Sequence, residues 1–177
     1  MKRSARLAFV GLAAILSMAL AVQPATAHAP SNGGVVYTGS DLCTISNAQI
    51  AFDHAAKVLS ASARTDGRRR SSATSACDTI DVWQPGWLAV NFTLYKWSLK
   101  RSQWEVCTTT PWVYNTSGTW QVVAQTNYGT NYPCWDPTEG ATPQRPTYYY
   151  TASSSWVWDG AAWRGGSKVS GYHPIPA

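Results

Sequence analysis

Residues 88–95, Leu88-Ala89-Val90-Asn91-Phe92-Thr93-Leu94-Tyr95, decide the fold class. Leu88, Val90, Phe92 and Leu94 alternate with Ala89, Asn91, Thr93 and Tyr95, the period of a β-strand whose successive side chains point to opposite faces. One row is wholly apolar and the other is mixed, with Trp87 and Trp97 continuing it. The segment therefore reads as a strand with a dry face and a half-wet face. After a polar connection at Lys100–Gln103, the alternation resumes at Trp104-Glu105-Val106-Cys107-Thr108, which predicts a hairpin.

Further strands follow outward from this one. Trp112-Val113-Tyr114, a turn at Asn115–Gly118 and Trp120–Ala124 read as a second hairpin. Ser155–Trp158 and Ala161–Trp163 flank Asp159-Gly160, the composition of a two-residue type I′ turn. That turn predicts Trp156 opposite Trp163 and Trp158 opposite Ala161. Residues 83–172 hold all ten Trp, eight of the nine Tyr and Phe92. Aromatic, Val and Thr residues favour strands, and turn signals recur at the spacing of a sandwich or barrel.

Residues 46–62 allow two readings. Ala48, Ala51, Phe52, Ala55 and Leu59 share a face at helical period, with Ser46 and Gln49 as a capping box and Ile45 and Ile50 as a staple. At period two, Val58–Thr65 is a strand that turns at Asp66-Gly67 and returns through residues 68–75. Ser60 and Ser62 weaken a helix, so strands are preferred, with a short helix over 46–62 as the alternative. The fold expected is all-β: a single-domain antiparallel β-sandwich, Ig-like or similar, spanning residues 41–177. Residues 28–40 begin His28-Ala29-Pro30-Ser31-Asn32-Gly33-Gly34 and read as a mobile polar tail.

The first 27 residues place Lys2, Arg3 and Arg6 before an apolar run from Leu7 to Val22 and the small residues Ala25-Thr26-Ala27. This is the order of a cleaved secretory signal peptide of bacterial character; the run is marginal as a membrane anchor, and no second long apolar run follows. Of 177 residues, 150 then remain, enough for one domain to bury about 70% of its unfolded surface. Three of the 14 basic residues leave with the leader, so 11 face 9 acidic ones and the net charge falls from +5 to +2. Nucleic acid is not an expected partner at that charge. Cys43, Cys77, Cys107 and Cys134 form an even set in an exported chain, which reads as two disulfides. Of three possible pairings the sequential one, 43–77 and 107–134, is preferred, each bridge stabilising by about 3 kcal/mol.

No motif for a nucleophilic serine, a zinc protease or a phosphate loop occurs in residues 28–177. His28, His54 and His173 are scattered, so no metal or other cofactor is expected. Asp53-His54 is an acid–imidazole pair, but sequence neighbours do not face one another. Asp78 with Asp81, or Asp136 with Glu139, are the carboxylate pairs a glycosidase would need, both in loops. Arg64 and Arg68-Arg69-Arg70 read as a solvated turn in preference to a polyanion contact. The Asn91 and Asn115 sequons are discounted, the first as mid-strand and both in a bacterial chain.

Ten Trp exceed what one small core buries, so some belong to half-exposed faces where their flat apolar bodies suit binding. Trp83, Trp104, Trp120 and Trp156 are expected in cross-strand packing. The loop Asn127–Trp135 is the preferred binding element, with Tyr128, Tyr132 and Trp135 as its contact residues. The function expected is a secreted, monomeric, non-catalytic binding protein acting on an extracellular glycan or protein through Trp/Tyr surfaces. A small secreted hydrolase with carboxylate or Ser/His chemistry, and a secreted protein inhibitor, are the alternatives.

Overall fold

A computed structural model describes residues 30–139 and 146–175. The expected leader and its cleavage site lie outside them. The described chain is an all-β sandwich of two antiparallel sheets carrying two disulfides. Its strands are β1 (Ser31–Thr38), β2 (Leu42–Asp53), β3 (Val58–Arg69), β4 (Thr79–Ile80), β5 (Leu88–Ser98), β6 (Gln103–Thr109), β7 (Val113–Tyr114), β8 (Gln121–Gly129), β9 (Thr147–Trp158), β10 (Trp163–Val169) and β11 (His173–Ile175).

The five-stranded sheet runs β1-β2-β3, with β4 and β8 sharing the far edge of β3. The six-stranded sheet runs β10-β9-β5-β6, with β11 beside β10 on β9 and β7 beside β6 on β5. Between the sheets lie Ile50, Phe52, Leu59, Ala61 and Ala63 from the first and Leu88, Val90, Phe92, Leu94, Tyr149 and Val157 from the second, all buried. The apolar row of β5 is thus the dry row, as its alternation predicts. A polar seam also joins the layers: Ser46 Oγ lies 2.6 Å from Ser153 Oγ and accepts from Ser155 Oγ at 2.8 Å, and Thr65 Oγ1 donates to Ala89 O at 2.9 Å. Each buried hydroxyl named here has a partner, which burial requires.

Both disulfides follow the sequential pairing, Cys43–Cys77 and Cys107–Cys134. Residues 46–62 form strands, not a helix. Asp53 Oδ1 accepts from the Ala55 and Ala56 amides at 2.9 and 3.0 Å, capping the turn that joins β2 to β3.

Four local expectations change. Residues 31–38 are not a tail; they pair with β2 from Ser31↔Gln49 to Thr38↔Cys43, where main-chain hydrogen bonds outweigh the loop-like composition. β3 does not turn at Asp66-Gly67 but runs through to Arg69. Gly67 is there for closeness: a Cβ would collide with the indole nitrogen of buried Trp83. The 112–124 hairpin is not formed. β7 joins β5 while β8 crosses to β3, and buried Asn115 fixes the crossing. Its Oδ1 accepts from Leu88 N–H at 2.8 Å, and its Nδ2 donates to Gln84 O at 2.8 Å and Ser117 O at 2.9 Å. Finally, the β9–β10 turn has four residues. Trp158 pairs with Trp163 and Trp156 with Gly165. Asp159 Oδ1 accepts from the Ala161 and Ala162 amides, and its other oxygen from Arg164. Those bonds hold the Asp159 carboxyl down at about 2 and close a wider turn than Asp-Gly alone would. A shift of two leaves the faces unchanged, so Trp156, Trp158 and Trp163 still share one side.

Candidate functional site

The outward row of β5 is Ala89, Asn91, Thr93, Tyr95 and Trp97. On β9 it is Tyr148, Tyr150, Ala152, Ser154, Trp156 and Trp158. The register joins them pair by pair: Ala89↔Trp156, Asn91↔Ser154, Thr93↔Ala152 and Tyr95↔Tyr150. β6 and β10 extend the face with Trp104, opposite Trp97, and Trp163, opposite Trp158.

Two aromatic clusters result. At one end Tyr95 and Tyr150 stack at 4.6 Å with their planes 8° apart, and Trp104 meets Tyr150 edge-on at 4.6 Å. Tyr172 stacks on Trp104 at 5.3 Å and is 66% exposed. Burial, chiefly, and then the neighbouring Tyr95 and Tyr172 push the Tyr150 hydroxyl up. At the other end Trp112, Tyr114, Trp156 and Trp163 with Ala89 line an open cleft of about 270 Å³. Trp112 and Tyr114 are 42% and 46% exposed, so this apolar cleft faces solvent.

Between the clusters lie Asn91, Ser154, Thr93 and Ala152, with Thr93 Oγ1 bonded to Thr109 Oγ1 at 2.9 Å. None of these outward positions carries a charge. The outer face of the five-stranded sheet is more polar, presenting Asn47, Gln49, Ser60, Ser62, Arg64 and Gln125 together with Ala51 and the exposed Val123. Two exposed aromatic clusters on one sheet face are the kind of feature that marks an interaction site.

The loop residues singled out from sequence lie elsewhere. Tyr128 and Tyr132 pack against the core from the rim. Tyr132 meets Phe52 at 5.8 Å and donates its hydroxyl to Lys57 O at 2.7 Å, and Trp135 meets Tyr132 edge-on at 5.6 Å. The three residues close one end of the sandwich. Cys134 beside them is tied to Cys107 on β6. Trp83 is core and Trp120 lies under the Arg68 guanidinium, whereas Trp104 and Trp156 belong to the outer aromatic face.

Several charged residues have local partners. Arg64 contacts Asp66 at 2.8 Å, Arg69 bridges Asp81 at 2.8 Å and Asp41 at 3.1 Å, and Arg70 donates to the carbonyls of Gly39, Ala73 and Ser75. Asp136 bonds Lys100 and Thr138, which hold its carboxyl well below the usual range. Glu139 meets Lys96 in the interior. Burial pushes its carboxyl up, but the Lys96 and Ser98 hydrogen bonds and the Lys96 charge outweigh that, leaving it lowered. A glycosidase acid needs the opposite shift. His54 and His173, distant in sequence, bring their rings to 5.8 Å beside Phe52. No group of three or more metal-ligating side chains occurs among the described residues. None of their helices is long and apolar enough to cross a membrane.

Comparison with known protein families, with curated proteins and with solved structures finds no match.

Proposed function

We propose that this is a secreted, non-catalytic binding protein that holds a neutral glycan on the outer face of its six-stranded sheet. The observation that carries the reading is the uncharged aromatic platform of Trp104, Tyr150, Tyr172, Trp112, Trp156 and Trp163. A pyranose ring offers C–H groups on its faces and hydroxyls around its rim. Aromatic rings, whose faces carry partial negative charge, attract those C–H groups. The leader-like first 27 residues and the two disulfides support export to an oxidising compartment.

The test is retention of the protein, lacking residues 1–27, on insoluble cellulose, chitin and bacterial cell wall. Retention that is lost in a Trp104→Ala, Trp156→Ala double variant of unchanged melting temperature supports the reading. Equal retention of that variant, or no retention on any glycan, overturns it. Capture of a protein partner by the same face would move the assignment to the inhibitor class.

A further inference from the structure

The platform is divided, and the division carries information about ligand length. Ala89 and Tyr95 are six residues apart on β5, and Trp156 and Tyr150 are six apart on β9, paired across the sheet. At about 3.4 Å per residue the two aromatic clusters stand about 20 Å apart along the strands. One pyranose cannot touch both. The floor between them carries Asn91, Thr93 and Ser154, hydroxyls and an amide with no charge. Asn91 and Ser154 make no side-chain hydrogen bond to another described residue, although the buried Ser153 and Ser155 beside Ser154 are bonded. The floor offers donors and acceptors to a neutral polyhydroxyl chain but no counter-charge for a polyanion.

Resting on the glycan reading above, we infer that the protein takes an extended, neutral glycan chain lying along β5 and β9. One sugar of the chain stacks at Tyr172 and Trp104, and another, several units away, enters the cleft of Trp112, Tyr114, Trp156 and Trp163. The floor hydrogen-bonds the units between. Occupying one cluster makes the second contact intramolecular, so affinity rises steeply once the chain spans both. Below that length a glycan uses one cluster and binds weakly.

Titration calorimetry with cellobiose and cellohexaose, and with chitobiose and chitohexaose, tests this. In at least one series the hexaose is expected to bind ten-fold or more tighter than the biose, within the range that linked contacts supply. Trp112→Ala and Trp104→Leu, at opposite ends, are each expected to bring hexaose affinity down toward that of the biose. Thermal unfolding of each variant confirms that it is folded. Hexaose binding no tighter than biose binding, or insensitive to one end, overturns the two-cluster inference while leaving glycan binding in place. Absence of binding by any oligosaccharide or insoluble glycan overturns both. Dimerisation in sedimentation that Trp112→Ala abolishes would assign the face to a second copy of the chain and overturn the inference as well.

Discussion

Lys96 Nζ lies 2.6 Å from Glu139 Oε2, with only 2% and 5% of the two side chains exposed. Lys96 sits on the core-facing row of β5, where alternation calls for an apolar residue. It is tolerated because its ammonium also donates to Cys134 O at 2.9 Å, while Ser98 Oγ donates to the other oxygen of Glu139 at 2.7 Å. The pair thus fastens the segment after the Cys107–Cys134 bridge to the centre of the six-stranded sheet.

Removing one partner strands the other. Lys96→Met leaves a buried carboxylate unpaired and is expected to destabilise by about 3–5 kcal/mol in urea unfolding. The double variant Lys96→Met, Glu139→Leu is expected to recover much of that, since apolar replacement of a buried pair is often neutral or better. A double variant as unstable as the single one would show that the pair is needed for more than its charges.

The same pair sets an acid dependence. Glu139 has a lowered carboxyl in the folded chain, so the folded state binds its proton less readily than the unfolded state does. Its contribution is therefore present above the unfolded carboxyl value of about 4.3 and is lost as pH falls through the lower folded value. Stability measured downward from pH 6 is expected to decline less steeply in Glu139→Gln than in the parent. Parallel curves would remove Glu139 as a source of the slope.

Gly67 makes a steric prediction. Gly67→Ala places a methyl against the Trp83 indole and is expected to cost about 1–3 kcal/mol, the usual cost of overpacking. Trp83→Phe, itself destabilising, is expected to make the second change Gly67→Ala much less costly. A double-mutant cycle measures the coupling, and strict additivity would place the strain elsewhere.

Ionic strength separates the proposed glycan from a charged ligand. With no charge on the outward positions of β5 and β9, glycan affinity is expected to change less than two-fold between low and high salt. A steep loss of affinity in salt would show that the binding surface lies elsewhere, because only interactions between charges are screened in this way.

Much of the architecture was legible because its signals are local. The alternation of Leu88 to Tyr95 reports one strand and two environments, and the even cysteine count with two clear spacings favours the pairing observed. What stayed hidden depends on partners distant in the chain. Tyr95 and Tyr150 stack only because β5 pairs with β9, and no local pattern reports that register. Gly and Pro around Tyr128, Tyr132 and Trp135 mark them as loop aromatics, but no local pattern reports that Tyr132 also packs against Phe52. Asp66-Gly67 has the composition of a turn, yet the glycine answers to a tryptophan sixteen residues further on.

β5 sends one row of side chains into the core and the other onto the aromatic face. Strand alternation has a period of two, so slipping β5 by a single residue would exchange the rows. Leu88, Val90, Phe92 and Leu94 would meet water, and Asn91 and Thr93 would enter the interior. The platform and the core are therefore two sides of one alignment, formed or lost together. A misaligned molecule would be both unstable and unable to recognise its ligand, so capture on an immobilised ligand would double as a selection for correctly folded chains.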